Sequence, residues 1–352
     1  MKIVSCAGAL PNHYYDQDAL ISGFLQTWSD QHHNPDRLVR LHQAVQVGGR
    51  HLALPMDRYA TMSFGEANDA FIEVGTEIGA RAVQAALDSA GLTPADVDVI
   101  FSTTVTGLAT PSLDARLVNR LGLRSDVKRI PMFGLGCVAG AAGTSRLHDY
   151  LKGHPDQVGV LLSVELCSLT LQRGDFSIAN LIASGLFGDG AAALVGVGAE
   201  RAKSVAASGP RVMDTCSRFY PETERVMGWD VQDTGFQIVL DASVPDVVRR
   251  FIRDDVDAFL HSHGRTIDDV HTWVAHPGGP KVLTAFEDCL ELPDGALQRT
   301  WDSLNEVGNL SSASVLMVLR DTLEQVDPPP GSVGMLMAMG PGFCSELVML
   351  EW

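Results

Sequence analysis

Leu87-Asp-Ser-Ala-Gly-Leu-Thr-Pro-Ala-Asp-Val97 is echoed far downstream by Leu260-His-Ser-His-Gly-Arg-Thr-Ile-Asp-Asp-Val270. Leucine, serine, glycine, threonine, aspartate and valine recur at matching places. Both stretches read as a helix end, a turn and the start of a strand. At nearly the same offset Cys137-Val-Ala-Gly-Ala-Ala-Gly143 falls on Asn309-Leu-Ser-Ser-Ala-Ser-Val315, and Leu147, Asp149 and Leu151 fall on Leu319, Asp321 and Leu323. Gly190-Ala-Ala-Ala-Leu-Val195 and Gly334-Met-Leu-Met-Ala-Met339 form a third pair, both apolar strands entered through glycine. Self-similarity at a steady offset marks a repeated supersecondary unit. The chain therefore reads as two copies of one α/β unit, residues 1–209 and 210–352, with extra residues around 166–187 and 200–235 in the first copy. Packing about a pseudo-two-fold axis would set the helix starts at Cys137 and Asn309 face to face. The strand end Val274-Ala-His276-Pro-Gly-Gly279 would arrive beside them.

The elements around these stretches alternate. Lys2-Ile-Val-Ser-Cys-Ala7 reads as a first strand, Asp16 to Trp28 has helical spacing, and a polar stretch from Ser29 to Pro35 leads to another helix ending near Val47. His32 and His33 in that polar stretch read as surface residues. A long helix is predicted from about Asn68 to Ala90, with Phe71, Val74, Ile78, Ala82, Val83 and Ala86 on one face and Gly91 as its stop. Then come a β-rich run from Val97, a helix at Leu113–Leu121, a strand at Arg129–Phe133, the helix opened by Cys137 and a strand at Gly159–Glu165. Strands alternating with helices point to an α/β architecture.

A chain of 352 residues with 45% hydrophobic content can bury a large core. No apolar run is long enough to span a bilayer, and the start lacks a signal peptide's apolar region, so a cytoplasmic location is expected. Six scattered cysteines without paired metal spacing fit a reducing compartment and give no metal site. The formal charge of −17 argues against nucleic acid as a partner. An anionic ligand would need a local basic patch, and Arg37, Arg40, Arg50 and Arg58 cluster early in the chain.

Gly134-Leu-Gly136 is a tight turn, and Cys137 opens a helix whose first turns carry only small residues, which lets a substrate approach the backbone. Amide N–H groups and the dipole at a helix start favour a thiolate, and can hold the oxyanion formed when a thioester is attacked. The plainer role for such a cysteine is a buried structural one. His276 ends an apolar strand and precedes Pro277-Gly-Gly-Pro280, the kind of junction where α/β active sites collect. It could also be a core histidine satisfied by a backbone carbonyl. Asn309 follows Gly308 at a helix start, where capping is its ordinary role.

Gly136-Cys137 before small residues, His276-Pro-Gly-Gly-Pro, Gly308-Asn309-Leu-Ser-Ser-Ala, Leu186-Phe187-Gly-Asp-Gly-Ala-Ala-Ala and Gly340-Pro-Gly occur in fixed order, and together the chain resembles the chalcone-synthase-like type III polyketide synthases. Ser163-Val-Glu-Leu-Cys-Ser-Leu-Thr170 and Met339-Gly-Pro-Gly-Phe-Cys-Ser-Glu-Leu347 look most similar to bacterial synthases of long-chain alkylpyrones. The resemblance implies a thiolase-like fold with a layered αβαβα core, a homodimer and CoA thioester substrates with no further cofactor. It implies a catalytic triad of Cys137, His276 and Asn309. In this reading a Cys137 thiolate paired with a His276 imidazolium takes the acyl chain, and His276 and Asn309 stabilise the enolate from decarboxylation. The expected reaction joins a long-chain acyl-CoA starter to malonyl-CoA or methylmalonyl-CoA extenders and closes an alkylpyrone or alkylresorcinol ring.

The resemblance also assigns the pocket. Phe187 matches one gatekeeping phenylalanine, while Ile238 stands where a second is expected. Val105 replaces a pocket threonine beside Thr106, Thr110 stands where a methionine reaches into the partner subunit, and Ser311 matches a position lining the cyclisation pocket. Aliphatic Val105 and Ile238 favour an alkyl chain, lining one tunnel away from Cys137. Arg37, Arg40, Gly278 and Lys281 match CoA-binding positions, whereas Ala44 replaces an expected lysine. The main alternative is a ketoacyl-ACP synthase of fatty-acid initiation, with the same triad and a single condensation; the Pro-Gly-Gly-Pro and Gly-Pro-Gly-Phe motifs speak against it. A non-catalytic relative is disfavoured by the intact triad, and a papain-like protease by the duplication.

Overall fold

The computed structural model describes residues 1–28, 34–206 and 209–352; His32 and His33 lie outside the described residues. The N-terminal half contains β1 (Lys2–Ala9), β2 (His13–Asp16), α1 (Gln17–Trp28), α2 (Pro35–Ala44), β3 (Gly49–Leu52), α3 (Phe64–Ser89), β4 (Val99–Thr104), α4 (Leu113–Leu121), β5 (Lys128–Phe133), α5 (Ala139–Gly153), β6 (Val158–Leu166), α6 (Ile178–Leu186) and β7 (Asp189–Val197). The C-terminal half contains β8 (Arg211–Phe219), β9 (Met227–Gln232), β10 (Gly235–Leu240), α7 (Val244–His261), β11 (Val270–Ala275), α8 (Pro280–Leu290), α9 (Gln298–Val307), α10 (Ser314–Gln325), β12 (Val333–Gly340) and β13 (Cys344–Glu351).

Strand side chains alternate in direction, and the two faces of each half-sheet bury against different layers. On β6, Val160, Leu162 and Val164 face α3, whose Phe71, Ile78, Ala82, Val83 and Ala86 fill the outer cluster. Leu161 and the alternate β7 residues Ala192 and Leu194 face inward, toward α5 and α10. In the other half, Leu336 and Val348 face the same inner layer. Met335, Met337 and Leu347 pack outward against the helix residues Val248, Ile252 and Leu283. Helix, half-sheet, paired helices, half-sheet, helix is the five-layer arrangement expected. The half-sheets are edge-joined into one sheet of nine strands, ordered β11-β12-β13-β8-β1-β7-β6-β4-β5. Their join is the single residue pair Lys2↔Arg211.

The duplication is carried by local chemistry. Thr93 gives its N–H and hydroxyl to Asp96 at 2.9 and 2.7 Å, and Thr266 gives the same two groups to Asp269 at 2.8 and 3.1 Å. Each box turns a long helix into a strand, β4 or β11, at equivalent sheet positions. Sheet order corrects two details of the sequence alignment. The strand entered at Gly190 is β7, whose positional counterpart is β13; β12, entered at Gly334, corresponds to β6. Glycine-led apolar runs look alike whichever strand they begin. Residues 200–235 are also more than an insertion, because they contain β8, a central strand pairing with both β13 and β1. The region 166–187 is extra as expected: it supplies a 3-10 turn and α6 where β12 and β13 are joined by Pro341–Phe343 alone.

Candidate active site

α5 and α10 cross at the centre of the molecule through Gly140, where an added Cβ would lie 2.5 Å from Val315 Cγ1 and closer still to the Ser312 carbonyl oxygen. Only glycine permits that approach. It brings together the 3-10 turns preceding the helices, Gly136–Val138 and Ser311–Ala313. Cys137 therefore lies in a turn ahead of α5 rather than on the α-helix itself. The paired turns align Cys137 with Ser312, so Asn309 lies upstream of the cysteine's true counterpart.

Cys137 is 6% exposed, and its thiol lies 3.7 Å from the Ser311 hydroxyl, which it reaches as donor. Ser311 takes a left-handed backbone conformation (φ 49°), and its N–H donates to Asn309 Oδ1 at 2.8 Å. Asn309 thus closes a local two-residue turn rather than capping the helix, whose N-cap position is Ala313. Committing the carboxamide oxygen to that bond assigns the amide nitrogen as the outward donor. Two hydrogen bonds consequently join Cys137 to Asn309. The backbone of Asn309 is held separately: its N–H donates to the Leu186 carbonyl at 2.9 Å, and the Gly188 N–H donates to its carbonyl at 3.0 Å. Phe187 and Asn309 form an isolated parallel bridge as a result.

His276 follows β11 and is tied by its N–H to the Met337 carbonyl at 2.9 Å, at the β12 end that presses against the cysteine turn through Gly340. It is 4% exposed, and both ring nitrogens are buried without a hydrogen-bond partner among the described residues. Among the described residues, the expected thiolate–imidazolium hydrogen bond is therefore absent. The physical reason is dehydration, which disfavours both charged forms: burial pushes the Cys137 thiol up to about 12 and pulls His276 down to about 3. Both shifts favour the uncharged forms. Among the described residues, His276 also finds no backbone carbonyl for either ring nitrogen. Because the thiol stays protonated well above neutrality, its alkylation by iodoacetamide should accelerate about tenfold per pH unit from 7 to 9. A plateau near pH 7 would instead reveal a resting ion pair.

The apolar cavity is walled chiefly by Leu20, Phe24, Met56, Phe187, Trp229 and Ile238, with Tyr59, Cys167, Ser168, Asn180, Arg50 and Arg173 also on its lining. Phe187 and Ile238 share it, as expected. Cys137 is not on its lining; Cys167 is, and lies near enough that a charge on Cys137 would raise its own buried thiol further. Val105 and Thr106 are absent from that lining. Both are buried against Glu165, which accepts from the Val105 N–H at 3.1 Å and the Thr106 hydroxyl at 2.9 Å. Val105 and Ile238 therefore do not share the lining of this cavity. Glu165 also accepts from the Ser312 hydroxyl, and burial raises its carboxyl above the usual range. An acid inside the apolar run Val158–Leu166 was the sequence signal for it.

Thr110 is exposed in a second groove, with Phe71, Leu113, Met132 and the exposed Leu108 and Phe133. Arg37 and Arg40 are exposed on α2, and Lys281 is exposed at the start of α8 after the half-buried Gly278. α2 and the Gly279 turn both pack on the end of α6, through His42 against Gly185 and through Leu186. Arg50 does not join this surface: it is 2% exposed.

Residues 49–208 match the family profile "FAE1/Type III polyketide synthase-like protein" and residues 211–351 match "Chalcone and stilbene synthases, C-terminal domain". The chain belongs to the chalcone-synthase-like type III polyketide synthases, which are acyltransferases using CoA thioesters and condensing malonyl-CoA. Among its relatives, the 1,3,6,8-tetrahydroxynaphthalene synthase of Streptomyces peucetius subsp. caesius is 54% identical over 345 residues, covering 98% of this chain and 91% of that protein. A phloroglucinol synthase of Pseudomonas fluorescens is 30% identical over 347 residues, covering 97% and 96%. The crystal structure of the 1,3,6,8-tetrahydroxynaphthalene synthase of Streptomyces coelicolor A3(2) superposes with a TM-score of 0.94 at 29% identity, covering 100% of this chain and 99% of that one. The thiolase-like fold is thereby established.

Proposed function

We propose that Cys137, His276 and Asn309 build a polyketide from malonyl-CoA alone and that the chain closes to a polyhydroxylated aromatic product. What supports the product class is the 54% likeness, end to end, to a tetrahydroxynaphthalene synthase. What supports the site is a buried thiol joined through Ser311 to an oriented carboxamide, with the buried His276 tied to the strand end that packs on the cysteine turn.

In this reading His276 accepts the thiol proton as an acyl-CoA enters. The Cys137 sulfur attacks the thioester carbonyl, and the CoA thiolate leaves with the carbonyl's former C–S electron pair. Malonyl-CoA then loses carbon dioxide, and the electrons of the broken C–C bond become an enolate. The Asn309 amide and the His276 N–H donate to its oxygen. The enolate carbon attacks the acyl-enzyme carbonyl, a C–C bond forms, and the Cys137 thiolate is released. Those electrons come from the decarboxylated bond, so the chemistry calls for no cofactor. Arg37, Arg40, Gly278 and Lys281 flank the α6 end as the CoA site, and Phe187 stands at the cavity wall. Residues 1–209 supply the nucleophile and 210–352 the histidine and asparagine. Thr110, with the exposed Leu108 and Phe133, marks the homodimer face, and sedimentation would show a dimer. No described helix is long and apolar enough to cross a membrane, and a cytoplasmic location is part of this proposal.

The apolar cavity favours a second reading, in which a long-chain acyl-CoA starter is extended to an alkylpyrone or alkylresorcinol. Each buried methylene contributes about 0.8 kcal/mol, so acceptance should then climb with starter length until the cavity is filled. Mass spectrometry of products made from malonyl-CoA alone, and with a panel of acyl-CoA starters, separates the readings. A naphthalene-class product without added starter supports the first, and products carrying the added alkyl chain as the main species contradict it. Ile238→Phe should shift starter preference shorter under the second reading while leaving malonyl-CoA decarboxylation unchanged. An unchanged preference would remove Ile238 from the starter wall.

A further inference from the structure

Arg50 lies on β3, inside the protein, where a cation is expensive unless its hydrogen bonds and counter-charge are in place. Its Nη1 donates to the Phe187 carbonyl at 2.8 Å, while its Nε is buried with no acceptor. Asp189 supplies the opposing charge and is itself held by the Ala53 N–H at 2.6 Å and the Ser168 N–H at 2.8 Å. The aliphatic stem fills a slot lined by glycine: Arg50 Cβ lies 3.2 Å from a Cβ built on Gly188, and Cδ lies 3.6 Å from one built on Gly308.

The peptide unit between Phe187 and Gly188 is consequently gripped at both ends. Its oxygen takes the Arg50 guanidinium, and its N–H enters the Asn309 carbonyl at 3.0 Å. We infer that Arg50 is a positioning residue, a buried guanidinium that sets the Phe187–Gly188 peptide and through it the Asn309 carboxamide. The inference rests on the reading of Asn309 as the enolate donor. A charge-assisted bond to a carbonyl is short and directional, and lysine, a single point donor on a flexible stem, does not reproduce it. Arg50 lines the apolar cavity, which Cys137 does not, and reaches Asn309 only through the backbone, so it should govern the step Asn309 serves and spare loading of Cys137.

The test measures two half-reactions in Arg50→Ala, Arg50→Lys and, in parallel, Asn309→Ala. Loading is read by intact-protein mass after mixing with acyl-CoA, and decarboxylation by release of acetyl-CoA from malonyl-CoA. Both Arg50 variants should lose about tenfold or more in decarboxylation kcat, with KM and loading within about threefold. Added methylguanidine should restore part of the Arg50→Ala rate by refilling the slot. Equal loss of loading and decarboxylation without rescue would make Arg50 merely structural and overturn the inference. Should Arg50→Ala fail to fold, Arg50→Lys carries the test, and a wild-type decarboxylation rate in it overturns the inference. Wild-type decarboxylation by Asn309→Ala would instead overturn the reading of Asn309 itself.

Discussion

Cys137→Ala is expected to abolish the acyl-enzyme and lower product formation at least about a thousandfold, while the protein stays folded. The substitution removes one sulfur from a 3-10 turn otherwise made of Gly136 and Val138, so its folding cost is that of a small cavity, about 1 kcal/mol. The loss of activity follows because Cys137 is the thiol joined through Ser311 to Asn309, whereas burial first, and then the Glu165 and Asp189 carboxyls, push the Cys167 thiol well up. Cys137→Gln should still decarboxylate malonyl-CoA, since the enolate groups are His276 and Asn309, yet it should fail to extend. Mass spectrometry of products and a decarboxylation assay check both. Full product formation by Cys137→Ala would remove the covalent step from the account.

Gly140→Ala is expected to damage the fold and the site together. A single methyl group there meets the Ser312 carbonyl and the Val315 side chain, and neither is the free end of a flexible chain. α5 and α10 must move apart, which should cost about 1–3 kcal/mol and lower Tm. The movement also separates the turn holding Cys137 from the turn holding Ser311, so activity should fall about tenfold or more. Gly153→Ala is the control: it ends the same helix, and a methyl group there meets nothing within 4 Å. Equal Tm and activity in both variants would show that close contact at Gly140 does not hold the site.

Helices with strong boundaries were legible from sequence. Leu113–Leu121 ends at Gly122 in a left-handed cap, and the expected bounds agree with α4 at both ends. The long helix begins earlier than expected, at Phe64, because Ser63 and Glu66 form a capping box ahead of the apolar stripe. β8 was not legible. Its Arg211-Val-Met-Asp-Thr-Cys-Ser-Arg-Phe219 lacks an apolar run, since much of the strand is exposed, and what fixes it is pairing with β13 and β1 from distant parts of the chain. Among candidate site residues, Cys137, His276 and Asn309 stood out because glycine turns and helix starts announce themselves locally. The upward shift of the cysteine and the downward shift of the histidine did not, because they depend on burial produced by both halves. Arg50 misled for the same reason: a basic residue near Arg37 and Arg40 in sequence is buried on the cavity wall beside Phe187, Gly188 and Gly308.

The central claim is that the growing chain is carried on Cys137. Wild-type protein mixed with malonyl-CoA, quenched in acid before turnover is complete and digested, should yield the peptide containing Cys137 bearing acyl groups that differ by single ketide units. Cys6, Cys167, Cys216, Cys289 and Cys344 should remain unmodified. Acyl groups confined to Cys167, or product released with no acylated cysteine at any quench time, would contradict the account.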